Sequence, residues 1–293
     1  MSYTQFQQAI LDWFRVNARN LAWRDPGTSA WGILISEVMS QQTPVARVEP
    51  VWKRWIKMWP TPKDFAAATT DEVLRAWGKL GYPRRALRLK ECAQAIVDNH
   101  DGQVPDSVDE LLALPGIGDY TARAVAAFHF GQSVPVVDTN VRRVYQRAIN
   151  GKYLAGTARK QELADVAALL PTAHTAEFSA AIMEMGALVC TASSPDCGAC
   201  PVIDLCQWQK LGCPQPSEEE LASAKKRVQK FAGTDRQVRG LLMDVLRGAD
   251  APVPITELDV VWPDAAQRSR ALFSLIEDGL AEQTAEGNFK LPG

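Results

Sequence analysis

Between residues 4 and 190, apolar side chains recur every three or four positions, separated by short polar connectors. "TQFQQAILDWFRVN", "AWGILISEVMSQQ", "TDEVLRAWGKL", "RRALRLKECAQAIVDNH", "SVDELLAL", "YTARAVAAFHFG", "VRRVYQRAI", "KQELADVAALL" and "EFSAAIMEMGALVC" each lay an apolar stripe along one face of a helix. The connectors carry Pro, Gly, Asp or Thr, and no stretch sustains the period of two expected of a half-buried strand. This pattern predicts an all-α domain of about ten short helices.

After Cys213 the pattern changes. "PQPSEEELASAKKRVQK" is polar and charged, and reads as a linker over 214–233. "TDRQVRGLLMDVLRG", "ITELDVVW" and "DAAQRSRALFSLIEDGL" then predict three helices, and "AEQTAEGNFKL" a hairpin turning at Glu286 and Gly287. The expected organisation is a helical domain over 1–213, the linker, and a small winged-helix-like module over 234–293. A structural or partner-binding appendage suits the last segment equally. Acidic residues outnumber basic ones from 218 onward, which argues mildly against independent DNA affinity there.

Composition narrows the class. The chain has 293 residues, 46% hydrophobic and 23% charged, as expected of an ordinary globular protein. No apolar run reaches membrane-spanning length, and "MSYTQFQQAILDWFRVNARN" lacks the basic-then-apolar order of a signal peptide, so a cytoplasmic protein without a membrane partner is expected. The net charge of −2, from 32 basic and 34 acidic residues, excludes a polybasic nucleic-acid coat. DNA binding would have to rest on local patches such as "WKRWIK" (52–57), "YPRRALRLK" (82–90), "VRRVYQR" (141–147) and "KKRVQK" (225–230), each of which also suits a solvated helix face.

The sharpest local signal is "MGALVCTASSPDCGACPVIDLC" (185–206), which crowds Cys190, Cys197, Cys200 and Cys206 into one loop with C-x6-C-x2-C-x5-C spacing. In a reducing compartment such a cluster points to metal rather than to disulfides. The single compact loop suits an iron–sulfur cluster better than the paired CxxC knuckles of a zinc ribbon, with structural zinc as the alternative. Cys92 and Cys213 fall outside the pattern, and Cys92 reads as a core residue.

Two further features carry chemistry. "LPGIGDYTARAV" (114–125) sets Gly116 and Gly118 before a helix, where exposed backbone N–H groups suit a phosphate, though an ordinary connector has the same look. In "VPVVDTNVRRV", Asp138 stands at a natural N-cap, where capping hydrogen bonds and the helix dipole are expected to keep it ionised. Capping alone also explains an Asp there. Glu37 lies among Ile33, Leu34, Ile35, Val38 and Met39, surroundings that would raise its pKa unless it faces solvent. One acid held neutral and one held charged is the division of labour that cleavage of a glycosidic bond needs.

The glycine hairpin, the aspartate and the cysteine spacing together resemble the helix-hairpin-helix DNA glycosylases of the endonuclease III superfamily, over roughly residues 5–210. "AWRDPGTSAWGILISEVMSQQTPVARV" and "WGKLGYPRRA" are similar to the adenine-specific, MutY-type branch. That resemblance implies a [4Fe–4S] cluster on the four cysteines, and double-stranded DNA with a mismatch as the partner of a monomeric enzyme. It implies that Glu37 protonates a flipped adenine and later helps activate water, while Asp138 stabilises the sugar cation, directly or through a covalent adduct. Tyr120 and Asn140 would support that site. Tyr120 stands where strand-cleaving relatives carry a Schiff-base lysine, so base release without strand cleavage is expected. Trp23, Arg24 and Glu184 match positions around the extruded adenine, and Gln41 and Tyr82 match residues that wedge into the duplex. Gly116 and Gly118 would offer backbone amides to a phosphate. Core packing, ion pairing or capping explains most of these residues singly.

The resemblance has two departures. Bacterial members commonly add a Nudix-like domain for the 8-oxoguanine opposite the adenine, and the segment after Cys213 is too short for one. The loop "TASSPD" also lacks the basic residues usual between the first two cysteines. The function expected is excision of adenine mispaired with 8-oxoguanine or guanine in base excision repair. A G·T mismatch thymine glycosylase and a non-catalytic iron–sulfur DNA-binding protein are the alternatives.

Overall fold

The computed structural model describes residues 3–225 and 231–293. The first half of the chain gives α1 (Tyr3–Asn17), α2 (Ala30–Ser40), α3 (Val45–Met58), α4 (Pro62–Ala67), α5 (Thr70–Trp77), α6 (Arg84–Asn99), α7 (Val108–Ala113) and α8 (Asp119–Phe128). There follow α9 (Thr139–Ala148), α10 (Gln161–Ala167), α11 (Thr175–Leu188), α12 (Gln207–Lys210), α13 (Glu218–Lys225), α14 (Asp235–Gly248), α15 (Ile255–Asp259) and α16 (Ala265–Glu277). The strands β1 (Glu282–Gln283) and β2 (Phe289–Lys290) come last. No described helix is long and apolar enough to cross a membrane.

The nine helices that the periodicity predicts before Cys213 are all present, and α3, α4 and α12 are additional. Pro50 lies inside α3 and disguises it, yet Val48, Trp52 and Trp55 form a buried face there. α4 is too short for its period to register. It begins with a capping box, in which Thr61 and Asp64 each satisfy the other's backbone N–H. α13 falls within the expected linker, where Ser217 and Glu220 make the same reciprocal cap. Residues 226–230, and with them most of the "KKRVQK" patch, lie outside the described residues.

By their contacts, the described residues of 1–33, 106–112 and 118–228 form one compact unit, and those of 34–105, 113–117 and 229–293 a second. The core of the first joins Phe6 and Ile10 of α1, Val141 and Val144 of α9, and Phe178, Ile182 and Met185 of α11. Val202, Cys206 and Trp208 of the cysteine loop belong to that same core. In the second unit Trp55 packs against Trp59, Phe65 and Trp77 at centroid distances of 5.1, 5.0 and 5.6 Å. Cys92 is fully buried there, as expected, and burial pushes its thiol up to about 12.

The C-terminal segment follows the expected order of three helices and a hairpin. β1 pairs antiparallel with β2, with Glu282 opposite Lys290, and Val253 adds a bridge to Phe289. Gly287 makes the turn at φ 85°, a conformation that favours glycine. The apolar core of this segment extends onto the preceding helices of its unit, taking in Leu74 of α5 and packing against Leu87 of α6.

Candidate active site

In the first unit the chemistry gathers at the start of α9. Asp138 is its N-cap, with Oδ1 accepting from the Val141 N–H at 2.7 Å and Oδ2 from the Asn140 side-chain amide at 2.7 Å. Asn140 is oriented in turn by Arg143, which donates to its Oδ1 and to the Gly186 and Cys190 carbonyls, each at 2.6 Å. Gly186 permits this crossing of α9 and α11. A Cβ placed there would lie 2.7 Å from the Asn140 Cβ. Tyr120, in the first turn of α8, packs against the cluster of Ala124, Ala127 and Val136, and Val136 lies two positions before Asp138.

Capping and the helix dipole are expected to hold Asp138 ionised, but packing shifts its pKa the other way. Burial raises it above the ordinary value, outweighing the bonds from Val141 and Asn140 and the charge of Arg143 that pull the other way. A cap satisfies the carboxylate oxygens but does not replace bulk hydration.

Trp23, Arg24 and Glu184 are also brought together in this unit. Trp23 is buried beside Arg24 in the single turn 22–24. Glu184 is 1% exposed and accepts from Arg24 at 2.9 Å, from the Arg19 side chain at 2.7 and 2.9 Å, and from the Arg19 N–H at 2.9 Å. Burial alone would raise the Glu184 pKa, but the two arginines prevail and hold it at about 2. Arg19 carried no signal in the sequence.

The second unit holds Glu37, Gln41, Tyr82 and Gly116. Glu37 is half-buried on α2, between the buried Ser36 and Val38. Arg85, also unforeseen, ties the loops that carry the next two residues. Its guanidinium donates to the Val38, Met39 and Gln41 carbonyls at 2.8, 3.0 and 2.6 Å, to the Thr43 hydroxyl at 2.9 Å and to the Gly81 carbonyl at 3.0 Å. It also lies 5.0 Å from the Trp77 ring centroid and 5.6 Å from that of Tyr82. Burial lowers the Arg85 pKa to about 10. Gly116 has φ 75°, and a Cβ there would meet the Arg88 Cβ at 2.8 Å, so glycine is required. Gly118, the N-cap of α8, has ordinary backbone angles and open space around it.

A groove of about 250 Å³ runs past Gln41, Arg84, Arg88 and Gly116. The larger groove of this unit, about 580 Å³ along Thr70, Lys90, Asp98 and Gly279, holds none of the candidate residues.

The four cysteines line one recess together with Arg147, Val189 and Trp208. Four thiols lining one recess suit a thiolate-held metal group. Burial, with the neighbouring thiols adding to it, pushes the Cys200 thiol up to about 11. Four thiolates crowded into one recess therefore need positive charge among them, which iron supplies. Arg147 adds one fixed cation. It is 1% exposed, donates to Cys190 Sγ at 3.4 Å and to the Thr191 and Ala192 carbonyls at 2.7 and 3.0 Å, and stacks on Tyr153. In "VRRVYQR" the arginines are engaged within the protein: Arg142 pairs with the buried Glu162 at 2.7 Å, and Arg143 and Arg147 turn toward the cysteine loop.

Comparison with known proteins agrees with this geometry. Residues 35–167 match the HhH-GPD superfamily of base excision DNA repair proteins, and residues 190–206 match the iron–sulfur binding domain of endonuclease III. The cofactor of this loop is a [4Fe–4S] cluster. Among solved structures, a thermostable thymine-DNA glycosylase superposes with TM-score 0.66 at 26% identity, covering 71% of this chain and 97% of that one. An endonuclease III trapped on DNA superposes with TM-score 0.62 at 25% identity, covering 73% and 100%. The adenine DNA glycosylase of Mycolicibacterium smegmatis is 58% identical, covering 97% of this chain and 95% of its own. The human adenine DNA glycosylase is 40% identical over 70% of this chain and 39% of its own. A relative matched at such identity along nearly its whole length decides among these branches, and the chain belongs to the adenine DNA glycosylases.

Proposed function

We propose that this protein excises adenine mispaired with 8-oxoguanine or guanine from double-stranded DNA, acting as a monomeric, cytoplasmic, monofunctional glycosylase. The observation that carries the reading is Asp138, a half-buried carboxylate with both oxygens held by 2.7 Å hydrogen bonds at a helix N-terminus. Such a group gains little from water and much from an adjacent cation, which is what a sugar losing its base becomes. Asn140 and Arg143 keep its orientation. Tyr120 has no amine for a Schiff base, so water completes the reaction and the strand stays intact.

Glu37 is the proton donor to the departing purine and later the base that activates water. Trp23, Arg24 and Glu184 flank the extruded base, where Arg19 and Arg24 leave a net positive charge around one carboxylate. Gln41 and Tyr82 fill the place vacated in the duplex, offsetting an unstacking cost of a few kcal/mol. The open backbone at Gly118 and the tight turn at Gly116 support close approach of a phosphate. Cys190, Cys197, Cys200 and Cys206 hold the cluster, which fixes the loop that gives Arg143 its Cys190 carbonyl. We read residues 1–213 as the catalytic part, 214–233 as the linker and 234–293 as a winged-helix-like module.

The test is single-turnover base release from duplexes with A opposite 8-oxoguanine, A opposite G, A opposite T and T opposite G. Adenine release that is fastest opposite 8-oxoguanine is the expected result. Thymine release from T·G, or no release despite tight binding, would overturn the proposal.

A further inference from the structure

The first turn of α14 rests on a residue assigned above to the duplex. Arg236, the second residue of that helix, places its guanidinium carbon 4.0 Å from the Tyr82 ring centroid and 5.7 Å from that of Phe231. A cation over the electron-rich face of a tyrosine ring is an attractive contact, and the planar guanidinium restricts how the ring can tilt. Tyr82 has φ 47°, a conformation a non-glycine residue keeps only where its surroundings hold it.

The same segment grips the chain on both sides of Tyr82. On the preceding side, Arg247 donates to the Leu74 carbonyl at 3.2 Å, Arg75 to the Ala249 carbonyl at 2.8 Å, and Lys79 pairs with Asp244 at 3.2 Å. On the following side Arg84 pairs with Asp278 at 3.2 Å, whose other oxygen takes Arg239 at 2.6 Å. A module present only for solubility would have no need to bracket one half-buried corner with four polar contacts.

We propose that Arg236 is a positioning residue, through which the C-terminal module orients the Tyr82 ring for insertion into the duplex. This rests on the reading of Tyr82 as a duplex wedge. The module then takes part in distorting DNA without supplying a base-reading site of its own.

The experiment uses the full chain and an uncleavable duplex, with 2′-fluoro-deoxyadenosine opposite 8-oxoguanine and 2-aminopurine beside the mispair. Fluorescence of the 2-aminopurine reports unstacking by the wedge. Arg236→Ala, Tyr82→Ala and the double variant are compared after their melting temperatures show that each is folded. Arg236→Ala is expected to reduce the unstacking equilibrium about two- to five-fold, the range of a surface cation–π contact. In the Tyr82→Ala background it is expected to have no further effect, because its action passes through that ring. An Arg236→Ala effect of equal size in both backgrounds, or none in either, would overturn the proposal while leaving the wedge intact. Unstacking unchanged by Tyr82→Ala would remove the wedge itself, and the proposal with it.

Discussion

Gly186→Ala is a one-carbon change that should separate positioning from folding. The added Cβ would sit 2.7 Å from the Asn140 Cβ and 3.0 and 3.1 Å from its carbonyl oxygen and carbon. Carbon atoms prefer about 3.5–4.0 Å, so α9 and α11 must part by roughly 1 Å at this crossing. The Arg143 bond from α9 to the Gly186 carbonyl of α11, 2.6 Å long, would then reach about 3.6 Å, beyond useful hydrogen-bond distance, which loosens the side chain that orients Asn140. Glycine to alanine within a helix ordinarily gains about 0.5–1 kcal/mol, whereas overpacking costs about 1–3 kcal/mol, so a modest net destabilisation is expected. Activity should suffer more, because a displacement of about 1 Å in a catalytic group can cost on the order of 100-fold in rate. Single-turnover base release and a thermal melt on the same preparation measure the two effects. A melting temperature lowered by a few degrees with base release within two-fold of wild type would refute the chain of reasoning from Gly186 through Arg143 and Asn140 to Asp138.

Three further outcomes follow from the site. Base release should fall on acidification at a pH above the ordinary 3.8 of an Asp, since Asp138 must be ionised and burial raises its pKa. Its stability effect has the opposite sense, present below the unfolded value and lost as pH rises through the raised one, which melts across that range would show against Asp138→Asn. Glu184, held at about 2 from an ordinary 4.5, contributes stability above pH 4.5 that is lost as pH falls toward 2. Glu184→Gln should therefore cost on the order of 3 kcal/mol at neutral pH and little near pH 2, read from denaturant midpoints. Arg147→Met removes the Arg147 donor from the Thr191, Ala192 and Tyr153 carbonyls, of which Ala192 keeps a second donor, the Tyr153 hydroxyl. A loss of about 1–3 kcal/mol and of iron, seen in the absorbance near 400 nm, is expected, and a variant that keeps its colour and melting point would count against a structural role for this cation.

What the sequence made legible was local. The nine helical periods, the N-cap at Asp138, the glycine at 116 and the cysteine spacing all depend on residues near one another in the chain. What it hid depends on partners far away. Arg143 and Arg147 read as surface charge until the carbonyls of Cys190 to Ala192 close over them. Arg19 and Arg85 take their meaning from Glu184 and from the end of α2 in the same way. The raised pKa of Asp138 is likewise a property of packing, because burial depends on which helices cover the residue and capping does not. Pro50 hid α3 for a different reason, a local rule overridden by the buried tryptophans of that helix.

The sharing of Leu74 between α5 and the C-terminal core has a consequence for the order of folding. During synthesis Leu74 leaves the ribosome long before Val238, Leu242, Leu275 and Phe289, the residues that bury it. The tryptophans around Trp55 can close early, but the corner beside Tyr82 must wait with its leucine bare. A nascent chain therefore passes through a stage in which most of the helices can form and one sticky edge remains. Chaperone capture, or aggregation of prematurely terminated chains, should centre on that edge.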